Sequence, residues 1–163
     1  MVTARVATGL NVKPRLTRAI GGVPVDYKPP EPLGFSPQHL AVVQAGMHWV
    51  VNRQGGTAFN YARIKEPGFE MAGKSGTAQV KRITARDREM KNTDSKKWEW
   101  KFREHALFVS YAPIHAPRYV CAVIVEHGVG GSGVAGPICR DVLLEAQRRD
   151  IMRSGGIKIA KAD

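Results

Sequence analysis

Gly73-Lys74-Ser75-Gly76-Thr77-Ala78-Gln79-Val80 decides the fold. If Lys74 and Ser75 open a helix, Gly68 to Ser75 (GFEMAGKS) is a phosphate-cradling loop, and it matches that motif letter for letter. If they lie in a strand, the stretch is a docking edge instead. A phosphate loop joins a buried strand to a helix N-terminus, whose amides and dipole hold the phosphates. Here Ile64-Lys65-Glu66-Pro67 precedes Gly68 and is no buried strand, while Gly76 and Thr77 open a helix poorly. Glu126, at the end of the apolar run Tyr119 to Val125, is the one other feature that suits a nucleotide site. The residues favour a strand from Glu70 to Val80. In a strand, Gly76 lets another backbone come close. Lys74 then supplies a fixed charge, Ser75 and Thr77 supply hydroxyls for a carboxylate, and a backbone N–H is free to serve an oxyanion.

Outward from this stretch, two further strands follow. Ala106 to Tyr111 and Tyr119 to Glu126 are apolar and β-branched, and Pro113 to Pro117 between them reads as the turn of an antiparallel hairpin. Gly128 to Gly136 is a glycine-rich loop. Pro137 opens a last helix with Ile138, Cys139, Val142, Leu143 and Ala146 expected on its buried face. Upstream, Ser36-Pro37 starts a helix, with Leu40, Val43, Met47 and Val50 as its apolar stripe and Gly55-Gly56 as its end. Met1 to Gly9 reads as the tail of a helix that begins upstream and stops at Gly9. Asn11 to Leu33, punctuated by proline and glycine, reads as irregular surface chain. The expected class is therefore α+β, an antiparallel sheet flanked by helices. Residues 1–153 form one unit, with a charged, exposed and mobile insertion at 81–103 and a frayed tail at 154–163.

Composition narrows the function classes. The 163 residues suffice for one domain, and 43% apolar with 24% charged is ordinary globular usage. The formal charge of +11 admits either a solvated basic face or an anionic partner. The insertion carries Trp98 and Trp100 among its lysines, as a surface that stacks nucleic-acid bases would. Its interleaved Asp87, Glu89, Asp94 and Glu99 weaken that reading. No run reaches the length of a transmembrane helix, and no signal-peptide pattern is recognisable. Cys121 and Cys139 read as buried free thiols rather than a disulfide framework. His105, His115 and His127 fit no zinc spacing, so no metal and no cofactor are expected. Glu126-His127, just past a strand, reads as a solvated strand end rather than a catalytic base.

Ala72 to Val80 (AGKSGTAQV) resembles the third active-site motif of class B penicillin-binding proteins. His105 to Pro113 (HALFVSYAP), Arg118 to Gly128 (RYVCAVIVEHG) and Gly130 to Leu143 (GGSGVAGPICRDVL) resemble the strands, loop and helix that follow it. Met1 to Leu16 resembles the segment shortly after the second motif. Gln79 and the glycine-rich loop look most like the elongation type, penicillin-binding protein 2, with the division type as near neighbour. The resemblance implies a membrane-anchored D,D-transpeptidase on the periplasmic side of the inner membrane. Its serine forms an acyl-enzyme at the penultimate D-alanine of a peptidoglycan stem peptide, and an amine of a second stem peptide resolves it. It implies stem peptides, β-lactam antibiotics and the cell-elongation machinery as partners, and no nucleic acid.

The resemblance also assigns roles. Lys74 organises the second-motif hydroxyl and adds positive potential. Ser75 and Thr77 hold the substrate carboxylate beside Gly76, and the Thr77 amide is one oxyanion donor. No serine of this sequence has a lysine three positions on or an asparagine two positions on. The nucleophile and its activating partners are therefore absent, and the 163 residues alone are expected to be inactive. The alternative function is a nucleotide-binding module at Gly68 to Ser75 or a basic nucleic-acid-binding module.

Overall fold

The computed structural model describes residues 1–153, with side chains through Asp150. The expected tail at 154–163 lies outside the described residues. Helix α1 (Val2–Thr8) ends at Gly9, whose φ of 71° is left-handed and whose N–H returns to the Arg5 carbonyl. Glycine takes that backbone without a Cβ penalty, so the stop read from the sequence has its physical cause. The chain then loops out and back, tied by Asn11 N–H to the Glu31 carbonyl and Leu33 N–H to the Gly9 carbonyl. Inside the loop β1 (Ala19–Ile20) and β2 (Val23–Pro24) form a small hairpin.

Helix α2 (Pro37–Asn52) starts at Ser36 as expected, and α3 (Phe59–Ala62) follows. Then come β3 (Ala72–Ala78), α4 (Ala85–Glu89), β4 (His105–Ala112), β5 (Tyr119–Val125) and α5 (Gly136–Arg153). A short π-helical turn, Gly131–Ala135, leads into α5. The three long strands form one antiparallel sheet in the order β3-β4-β5, with Lys74 opposite Val109 and Val109 opposite Ala122.

The central strand β4 is covered on both faces. Ala106, Phe108 and Ala112 share one core with Ala135, Cys139 and Leu143, together with Val51, Ala58 and Ala62 from the α2–α3 corner. Tyr111, with Ala72 of β3, packs on the other face against Ala7 of α1 and Met47 of α2. Burial on both faces explains why β4 reads as a nearly unbroken apolar run. Phe108 is fully buried, and a side chain of that size is worth about 3 kcal/mol in transfer from water.

Two helix faces differ from the periodicity reading. On α5 Ile138 and Val142 are exposed, at 43% and 52%. The buried row is Cys139, Leu143 and Gln147, one i, i+4 stripe continuing from the buried Ala135. Gln147 tolerates burial because its amide donates to the Phe69 and Leu143 carbonyls. On α2 Val43 is half exposed. With Val2, Val6, Met47, Val50 and Val109 it lines an apolar cleft that also receives Lys74.

The charged segment 81–103 packs around one residue. Trp98 is buried, and its indole N–H donates to the Asn92 backbone and side-chain oxygens. Lys81 stands 5.1 Å above its ring and pairs with Asp87, while the Arg103 guanidinium donates to the Trp98 carbonyl. A capping box between Thr84 and Asp87 starts α4.

Candidate active site

Strand β3 is pinned where it begins and open along its outer edge. Asn52 of α2 donates to the Met71 carbonyl at 2.9 Å, and Gln147 of α5 donates to the Phe69 carbonyl at 3.1 Å. Ala72 and Gly73 are buried, Lys74 and Thr77 are exposed, and Ser75 and Gly76 are half-buried. A Cβ on Gly73 would stand 2.5 Å from the Phe108 ring and 2.8 Å from the Val109 carbonyl oxygen. Only glycine lets the strand approach β4 so closely at this point.

The four residues singled out from the sequence lie consecutively on this strand. Lys74 sits opposite Val109, Ser75 opposite Phe108, Gly76 opposite Leu107 and Thr77 opposite Ala106. The Lys74 ammonium donates to the Ser75 carbonyl at 2.8 Å and approaches the Ser75 hydroxyl at 3.4 Å. Lysine and hydroxyl thus form one polar group on an exposed stretch. Among the described residues β3 pairs with β4 alone, so its outer edge offers main-chain donors and acceptors to an extended peptide.

The glycine-rich loop comes back to this strand. A Cβ on Gly131 would stand 2.4 Å from the Leu107 carbonyl oxygen and 2.5 Å from that of Gly76. Backbone therefore rests on backbone beside Thr77. The sequence marked the loop as rich in glycine but did not show what it touches.

The geometry removes the phosphate-loop reading. Lys74 and Ser75 lie inside a strand with antiparallel neighbours, and no helix begins after Ser75 until Ala85. A phosphate cradle needs the amides of a helix N-terminus, and none is there. Glu126 follows the end of β5, on the far side of β4 from β3. Within residues 81–103, Asp87 pairs with Lys81 and Glu99 with Lys101, and the Asp94 carboxylate accepts from the Lys96 amide.

Both cysteines are free. Burial pushes the Cys139 thiol up to about 12, against a smaller opposing effect of the Ser110 hydroxyl. A thiol so far from ionisation is no nucleophile at neutral pH. Asp87 is held down at about 2, chiefly by the Thr84 hydroxyl and amide, with Lys81 adding to it. It is a cap and not a proton donor. Among the described residues no group of three or more His, Cys, Asp or Glu is placed to hold a metal, and no helix is long and apolar enough to cross a membrane.

A profile of the penicillin binding protein transpeptidase domain matches residues 1–144. The peptidoglycan D,D-transpeptidase MrdA of Haemophilus influenzae is 36% identical over 148 residues, which cover 86% of this chain and 22% of that protein. Among solved structures, PBP2 of Pseudomonas aeruginosa in complex with WCK 5153 aligns at a TM-score of 0.65 and 33% identity, over 89% of this chain and 28% of that one. PBP2 of Helicobacter pylori in its complex with MreC aligns at 0.63 and 27%, over 90% of this chain and 24% of that one. The chain thus spans about a quarter of the proteins it matches.

Proposed function

We propose a function from one premise: the chain belongs to the penicillin-binding protein transpeptidase family and is part of a transpeptidase domain. We infer that it is the substrate-binding part of a peptidoglycan D,D-transpeptidase of the elongation type. The observation that carries this is β3, an open-edged strand presenting Lys74, Ser75, Gly76 and Thr77 in line.

In this reading the stem peptide lies along the β3 edge. The Ser75 and Thr77 hydroxyls bind its terminal carboxylate, and Lys74 adds positive potential. The Thr77 amide donates to the oxyanion that develops on the attacked carbonyl. The serine nucleophile comes from chain outside these 163 residues. It attacks the penultimate D-alanine carbonyl, terminal D-alanine leaves, and the amine of a second stem peptide takes the acyl group. β-Lactams acylate the same serine. The relatives' names support peptidoglycan as substrate, and the Helicobacter pylori complex supports a partner of the MreC kind. A location at the inner membrane, facing the periplasm, follows from the same reading. The segment at 81–103 is an insertion of the domain, beside the substrate strand.

Fluorescent penicillin labelling tests this. The whole protein should form a stable adduct that survives denaturation, and residues 1–163 alone should form none. An adduct on the isolated 163 residues would contradict the assignment of the nucleophile. Saturable magnesium-dependent ATP binding that Lys74→Ala abolishes would contradict the function itself.

A further inference from the structure

Two histidines outside the substrate strand stand at its exit. His105 opens β4 opposite Ala78, the last residue of β3. His127 lies just beyond the end of β5. The His127 backbone N–H donates to His105 Nδ1 at 3.0 Å. That nitrogen must be an unprotonated acceptor, so the proton of His105 sits on Nε2. His127 Nδ1 lies 3.0 Å from the Arg103 carbonyl oxygen. A carbonyl only accepts, so His127 carries its proton on Nδ1. The two rings meet edge to face at 4.8 Å, and Trp100 of the insertion lies 4.3 Å from the His127 ring.

What this pair holds is a strained turn. His127 and Val129 have φ of 56° and 66°. A β-branched residue in that region is an outlier and persists only where its surroundings impose it. Here the Val129 N–H donates to the Glu104 carbonyl at 2.9 Å, next to His105. Two residues further on, Gly131 rests on the backbone of Gly76. The fixed imidazoles and the strand that presents Thr77 are therefore joined by a few residues of constrained backbone.

We propose that His105 and His127 are positioning residues of the acyl-transfer site. They hold the turn from His127 to Gly131 against Gly76, and through it they set where the Thr77 amide and hydroxyl point. Neither touches substrate. The proposal rests on the reading of β3 as the substrate strand.

The test is penicillin acylation of the whole protein, resolved into half-saturating concentration and limiting rate. His105→Leu removes the acceptor and should lower the limiting rate about tenfold, with the half-saturating concentration changed less than about twofold. His105→Asn offers an oxygen near the same place and should restore most of the rate. His127→Gly keeps the backbone N–H and the left-handed φ but removes the ring, and should lower the rate about threefold. A His105→Leu protein that acylates at the wild-type rate, or His105→Asn no better than His105→Leu, overturns the proposal. Wild-type protein that takes no adduct overturns the function reading instead. The placement of the turn is then decided by amide exchange. Exchange at residues 74–79 and 127–131 should quicken at least about tenfold in His105→Leu and not in His105→Asn. Equal exchange in all three proteins overturns it.

Discussion

Strand β3 is fixed by residues far away in the chain, whereas most side-chain ties within residues 81–103 run to close neighbours. Asn52 and Gln147 hold the approach to β3, Phe108 and Val109 close on Gly73, and Gly131 lies on Gly76. In the insertion Trp98 bonds to Asn92, Ser95 to Glu104, Lys81 to Asp87 and Arg103 to Trp98, all within ten positions of one another. The geometry of Lys74 to Thr77 depends on the whole sheet and its helices, while residues 81–103 are held chiefly by local bonds, with Trp100 and Arg103 also reaching His127.

Phe108→Ala should break the sheet side of this comparison hardest. It empties the volume between β3 and α5 and should cost about 3–5 kcal/mol, read as a shift of the denaturant midpoint. Gly131→Ala comes next. The added methyl has backbone oxygens at 2.4 and 2.5 Å, which cannot swing aside as a side chain would. Overpacking of this kind costs about 1–3 kcal/mol, and penicillin acylation should fall more steeply than stability because Gly76 moves.

Trp98→Ala acts on residues 81–103 instead of the sheet. The insertion should become sensitive to trypsin at its many lysines, while cleavage within β3, β4 and β5 stays slow. Cooperative loss of the sheet along with the insertion would show that the two are one unit. The smallest effect is that of acid on the cap of α4. Asp87 falls from an ordinary 3.8 to about 2 in the folded chain, so its contribution is fully present above 3.8 and is lost as the pH falls through about 2. Pepsin at pH 4 should therefore leave the α4 segment as protected as at neutral pH, and pepsin near pH 2 should not.

Much of the architecture is legible in the residues because its signals are local. Gly9 stops α1, Ser36-Pro37 starts α2, and the two apolar runs are β4 and β5. The strand at Lys74 is legible too, since Gly76 and Thr77 argue against a helix. What is missed depends on distant partners. The buried row of α5 follows from which of its faces meets the β4 core, and the burial of Gln147 from the Phe69 carbonyl. Residues 81–103 read as an exposed excursion because their charges outnumber their apolar residues, and apart from Ser95 and Trp98 they are exposed or half-buried; what the pattern does not show is the buried Trp98 indole with its hydrogen bonds. At the site, the residue types of β3 are visible from the sequence. The contact of Gly131 with Gly76, and the tie between His105 and His127, join positions that no local pattern connects.

If β3 is the substrate strand of an acyl-transfer site, the loss of Lys74 must slow acylation. The measurement is the rate of penicillin acylation of the whole protein, wild type against Lys74→Ala, followed by stopped flow. The ammonium contacts only its own neighbour, Ser75, among the described residues, so its loss leaves the fold intact. The expected rate is at least about a hundredfold lower, the size of losing one contact of about 3 kcal/mol to the reacting group, at an unchanged denaturation midpoint. An unchanged rate would contradict the substrate-strand reading of β3.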